Sequence, residues 1–175
     1  MTQPAPAAST LVELLRRRGL TLAVAESLTG GALSAGIVSV PGASAVLNGA
    51  VVAYATPVKA SVLGVDRALL AARGPVDPQV AEQMADGVRV ALAVDGRPAD
   101  VGVSTTGVAG PSSQGGHPVG TVHIGVSVAG ATVSRAFLFA GDRSAIRAAT
   151  VEAALALVAD TIATQHEHDP QAPRE

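Results

Sequence analysis

Short apolar runs alternate along this chain with stretches whose apolar residues return every three or four positions. The first kind reads as strand and the second as helix. Thr10 with Glu13 has the capping-box spacing, Leu11, Leu14 and Leu15 form a stripe, and Gly19 follows, predicting a first helix over 10–19. Thr21 to Ala25 is a buried strand by pattern, and Gly30-Gly31 opens a second helix towards Val38. Gly49 to Tyr54 is the next strand. Thr56-Pro57 and Asp77-Pro78 each pair an N-cap residue with proline at the first helical position. They start helices running to about Leu63-Gly64 and Val94. Asp100 to Thr105 is a further strand. Thr121–Val128 and Thr132–Phe139 pair around the turn Ala129-Gly130-Ala131. Asp142 caps a last helix with Ile146, Ala149, Ala153, Leu157 and Ile162 on its apolar side. Alternating strands and helices with one late hairpin predict a three-layer α/β/α sandwich. Its sheet is mixed, mostly parallel, with an antiparallel portion.

The 175 residues suit one domain, placed at 10–165. Residues 1–9 are Pro- and Ala-rich and residues 166–175 polar, so both are expected to be disordered tails. Only three aromatic residues are present, Tyr54, Phe137 and Phe139, so the core must be Ala, Val, Leu and Gly. Mean hydropathy is +0.39, yet no apolar run approaches the roughly 18 residues of a membrane span. The first ten residues lack the basic and apolar regions of a secretory signal, so a cytoplasmic location is expected. There is no cysteine, which removes thiolate nucleophiles, disulfides and Cys-based zinc sites.

Net charge is -2, and it resides in the last ten residues, leaving the body neutral. That balance, with Arg16-Arg17-Arg18 read as a solvated helix face, argues against nucleic acid as a partner. An Ala- and Val-rich surface leaves a homo-oligomer open. His166 and His168 sit on the polar tail without an ordered surround, no metal-ligand spacing appears elsewhere, and no cofactor is expected.

Candidate chemistry gathers in three polar segments at the carboxyl ends of predicted strands, where open α/β sheets bind ligands. The first is Glu26-Ser27-Leu28-Thr29-Gly30-Gly31. Its serine stands on a fixed turn, and the helix beginning after Gly31 offers N–H groups to an anion; the alternative is that Ser27 or Thr29 merely caps that helix. The second runs from Tyr54 to Lys59, the sole lysine among twelve basic residues. Unlike arginine, lysine can lose its proton. In the first helical turn, at the third position, both burial and the helix dipole would favour the neutral amine that a serine's general base requires. The third, Thr105-Thr106-Gly107 to Gly110-Pro111, supplies hydroxyls and N–H groups. Arg143, at the start of the last helix, is a phosphate candidate. Glu26, Asp77 and Asp142 read as caps, and His123 as a packed strand residue.

These segments, with Val40-Pro41-Gly42-Ala43-Ser44 and Pro118-Val119-Gly120-Thr121, resemble the CinA C-terminal domain family over about residues 10–164. That family includes nicotinamide-nucleotide amidases. The resemblance implies hydrolysis of nicotinamide mononucleotide to nicotinate mononucleotide and ammonia. It places the nucleophile at Ser27, the base at Lys59, the tyrosine at Tyr54 and the threonine loop at Thr105 and Thr106. Thr29, Gly30, Gly31, Gly107, Gly110 and Arg143 complete the expected substrate contacts. Leu28 stands where cysteine is common in the family, and the loop 112–117 departs from its acidic, longer form. Larger members carry a separate pyrophosphatase domain, for which this length leaves no room. The alternatives are a non-catalytic protein-interaction module, given the family's link to competence and DNA damage, or an amidase for another small carboxamide.

Overall fold

The computed structural model describes residues 5–128 and 130–167. In chain order it contains α1 (Pro6–Arg18), β1 (Leu22–Glu26), α2 (Ala32–Val38), a 3-10 turn (Ala43–Ala45), β2 (Leu47–Val52) and α3 (Thr56–Leu63). There follow α4 (Arg67–Arg73), α5 (Pro78–Ala91), β3 (Val101–Gly107), β4 (Thr121–Val128), β5 (Ala131–Leu138) and α6 (Arg143–Glu167). The five strands form one sheet in the order β2-β1-β3-β4-β5. β1 is parallel to both β2 and β3, and β3–β4 and β4–β5 are antiparallel. The fold is the expected three-layer α/β/α sandwich with a late hairpin.

Strand β1 is buried along its whole length, as a parallel strand covered on both faces must be. Leu22 and Val24 point into one core layer, built with α1, α2 and α6. Ala23 and Ala25 point into the other, with Leu63 of α3 and Val80, Met84 and Val88 of α5. The small residues on that second face let α5 lie unusually close. A Cβ at Gly102 would stand 1.9 Å from the Ala85 carbonyl, and one at Gly125 2.3 Å from that of Ala81. Gly87 does the same between helices: its Cβ would meet the Leu63 carbonyl at 1.7 Å, so α3 seats against α5 at a spacing only glycine permits. Dense packing follows from shape rather than from large side chains.

The structure departs from the sequence expectation at several ends. α1 begins at Pro6, so residues 6–9, expected in a tail, are helical, and Thr10 is interior rather than a cap. Proline's fixed φ starts the helix without a side-chain cap. α6 continues to Glu167, into the expected C-terminal tail, and His168 lies outside the described residues, as does Ala129 of the hairpin turn. α3 is capped by Ala55, with Thr56 as its first helical residue, which places Lys59 fourth. α5 stops at Ala91. α4 is absent from the sequence expectation: it is seven residues long and only half-buries Leu69 and Leu70, too short an apolar stripe to read. Among the described residues, no helix is long and apolar enough to cross a membrane.

Candidate active site

Because β2, β1 and β3 are parallel neighbours, their carboxyl ends share one edge of the sheet, with Glu26 opposite both Val52 and Thr105. The three polar segments therefore converge. Between them lies a cleft of about 140 Å³ whose walls include Ser27, Tyr54, Lys59, Thr106 and Arg143. That is small beside the roughly 300–1,000 Å³ of drug-sized sites, and suits the head of a ligand rather than all of it.

Ser27 is fixed by its main chain. Its N–H donates to the Thr105 carbonyl at 3.0 Å, and its carbonyl accepts from Gly30 N–H at 3.2 Å. Lys59 reaches it from the far wall. Lys59 and Leu63, four residues apart, are the residues α3 buries, so the lysine occupies a position a short helix would normally give to an apolar side chain. It is 1% exposed. Nζ donates to the Ser27 hydroxyl at 3.0 Å and to the Ala53 carbonyl. No carboxylate pairs with it among the described residues. Burial lowers its pKa from 10.5 to about 8, because desolvation penalises the ammonium. At pH 7 about a tenth of the molecules then hold a neutral amine, able to accept the serine proton along the same hydrogen bond.

The expected binding residues divide. Thr106, Gly107, Gly110 and Arg143 lie on the cleft wall. Thr29, Gly30, Gly31 and Thr105 are not among its lining residues. The Thr29 and Thr105 hydroxyls bond to each other at 2.8 Å, both fully buried, and Gly30 N–H is already spent on Ser27. The N-terminus of α2, expected to face an anion, is closed by the protein itself. The Glu26 carboxylate accepts from the N–H groups of Gly31, Leu33 and Ser34 at 2.9–3.0 Å and from the Ser34 hydroxyl at 2.7 Å. Glu26 is the cap, and Ser27 is left free. Thr106 turns its hydroxyl to the Pro75 carbonyl at 2.6 Å. No hydrogen bond joins Tyr54 to the lysine: its hydroxyl accepts from Arg143 Nη2 at 2.9 Å, while Nη1 donates to the Gly110 carbonyl at 2.9 Å. His123 is packed, as expected, on the sheet's α5 side, and its Nδ1 has no hydrogen-bond partner among the described residues.

Several wall residues escaped the sequence reading. Pro75 and Val76 come from the segment between α4 and α5, and Ser112 and Gln114 from the departing loop. Leu28 also lines the cleft, and its backbone N–H has no partner among the described residues. An unpaired N–H directly after a serine nucleophile is where an oxyanion donor is wanted. Among the described residues, no cluster of His, Cys, Asp or Glu could hold a metal ion.

The fold and cleft define an α/β protein with a serine–lysine pair at a parallel strand edge. Residues 5–162 match the CinA C-terminal domain, and the chain belongs to that family. A CinA-like protein of Frankia casuarinae is 52% identical over 145 residues, which is 83% of this chain and 32% of that relative. The chain thus spans about a third of the length of the curated relatives it matches. A CinA-superfamily crystal structure from Klebsiella pneumoniae superposes with TM-score 0.84 at 30% identity, over 90% of this chain and 96% of that one. One from Escherichia coli gives 0.82 at 30% identity, over 89% and 88%.

Proposed function

We propose that the chain is an amidase that hydrolyses the carboxamide of nicotinamide mononucleotide to nicotinate mononucleotide and ammonia. The observation that carries this reading is the 3.0 Å contact between Ser27 Oγ and the Nζ of a buried, carboxylate-free lysine. A purely structural lysine would be expected to keep its charge in water. One held this way serves proton transfer.

In the reaction, neutral Lys59 takes the Ser27 hydroxyl proton as Oγ bonds to the carboxamide carbon. The oxygen of the tetrahedral intermediate takes the negative charge and accepts from Leu28 N–H, a contact type worth roughly 3 kcal/mol. Lys59 returns the proton to the nitrogen as the C–N bond breaks, and ammonia leaves an acyl ester on Ser27. Water, deprotonated by Lys59, then attacks the ester carbon; the bond to Oγ breaks as Lys59 returns the proton to Oγ, and the acid leaves with Ser27 and Lys59 restored. Arg143, at the mouth, exchanges its Tyr54 and Gly110 contacts for the nucleotide phosphate. The substrate is inferred from family membership together with this cationic mouth on a head-sized cleft.

The test is ammonia release from nicotinamide mononucleotide, run beside nicotinamide and its riboside. Turnover of the mononucleotide alone is expected, with loss of at least about 1,000-fold in Ser27→Ala. Equal turnover of the riboside would move the assignment to another carboxamide. No turnover of any of the three would favour an interaction module.

A further inference from the structure

The guanidinium of Arg147, in the second turn of α6, forks across the chain just beyond the nucleophile. Nε donates to the Leu28 carbonyl at 3.1 Å and Nη2 to the Thr29 carbonyl at 2.6 Å. Two successive carbonyls aimed the same way repel each other, and a turn that holds them so needs a cation with two parallel donors. Arginine supplies that; lysine is a single point charge. The same peptide unit whose oxygen sits on Nη2 carries the Gly30 N–H that holds the Ser27 carbonyl. Arg147 therefore fixes, through one peptide plane, the backbone from which Ser27 Oγ projects. It has no carboxylate partner among the described residues. Among the described residues its charge is met only by those carbonyls, and it stands half-buried on the turn whose Leu28 lines the cleft.

We infer that Arg147 is a positioning residue for the serine. It locks the Ser27–Gly30 turn in its attacking geometry and lends a positive field to the side where negative charge develops. This rests on Ser27 being the nucleophile, but not on the identity of the substrate.

The experiment therefore reads two things in wild type, Arg147→Lys, Arg147→Gln and Arg147→Ala. One is the rate of covalent labelling of Ser27 by a fluorophosphonate probe, with Ser27→Ala as the blank. The other is kcat and KM for nicotinamide mononucleotide. Misplacing a nucleophile by an ångström loses about 100-fold in rate. Arg147→Gln and Arg147→Ala are expected to lose about that in labelling and in kcat, with KM within about threefold. Arg147→Lys should keep an intermediate rate. Added guanidinium ion should partly restore Arg147→Ala, and the alkaline rise of the pH–rate profile should stay in place, because Lys59 is untouched. Wild-type rates in folded Arg147→Gln would overturn the inference. So would a change confined to KM, or equal loss in the lysine and alanine variants without guanidinium rescue. Wild type labelled at Ser27 but inert on the nucleotide would overturn the substrate reading instead, and labelling alone would then decide the role of Arg147.

Discussion

Glu26 and Lys59 are both charged, both buried to 1% exposure or less, and both sit where a parallel strand hands over to a helix. Their surroundings differ. Glu26 accepts four hydrogen bonds, all from the turn and helix that it caps. Every contact is one its oxygens accept, and a side chain so enclosed is part of the framework. Among the described residues, Lys59 has two oxygen acceptors, one of them the serine, and no opposing charge. A buried charge that is fully answered holds structure together; one left half-answered is free to exchange its proton. The same strand edge thus carries a sealed helix start and an open chemical site a few residues apart.

Removing the half-answered charge gives the sharpest test. Lys59→Arg and Lys59→Met should each lose about 1,000-fold or more in turnover, since neither can act as a base. Stability should move the other way. The folded pKa of about 8 lies below the ordinary lysine value of 10.5, so the unfolded chain binds the proton more tightly. Below pH 8 the folded state carries a penalty of roughly 3 kcal/mol. That penalty fades as pH rises from about 8 to 10.5, so stability should climb across this window. Lys59→Met should be more stable than wild type at pH 6 by up to about 3 kcal/mol, and the gap should shrink above pH 8. Denaturant titrations at pH 6 and 10 check it. Turnover of the wild type should rise with pH and level off above about 8; a flat profile would mean that another group takes the serine proton.

The opposite outcome is expected at Glu26. Glu26→Gln swaps an oxygen for an NH2 group that must face backbone N–H donors, leaving them unsatisfied inside the protein. A loss of about 3 kcal/mol is expected, with kcat of the folded fraction within about threefold of wild type. Loss of turnover without loss of stability would erase the distinction between the two charges.

The sequence carried the convergence of the site because it depends on strand order alone. Apolar runs mark β1, β2 and β3, and parallel pairing then brings their polar ends together. Lys59 was legible as the sole lysine placed in a first helical turn. What could not be read was which partner each polar group had already found. Glu26 closing α2 depends on the turn folding back, so Gly30 and Gly31 looked like ligand contacts when they are spent on the cap and on Ser27. Arg147 meets Leu28 across 119 positions of sequence, and no local pattern records that. α4 is faint for the converse reason: a seven-residue helix that only half-buries Leu69 and Leu70 leaves little periodic trace, yet the segment after it brings Pro75 and Val76 to the cleft wall.

Tyr54 sets the smallest expected effect and the finest test of the contrast. A tyrosine beside this pair is a candidate to relay protons or to steady the lysine amine. Its hydroxyl is instead held by Arg143, and the tyrosine is 60% exposed at the mouth. If Lys59 works alone with Ser27, Tyr54→Phe removes only one contact that aligns Arg143. One hydrogen bond is worth about 1 kcal/mol, so KM for the nucleotide should rise about fivefold while kcat changes by less than about threefold. The pH–rate profile should keep its position. A 100-fold fall in kcat with a displaced profile would instead put Tyr54 in the proton path, and the lysine would no longer be the only half-answered group at this edge.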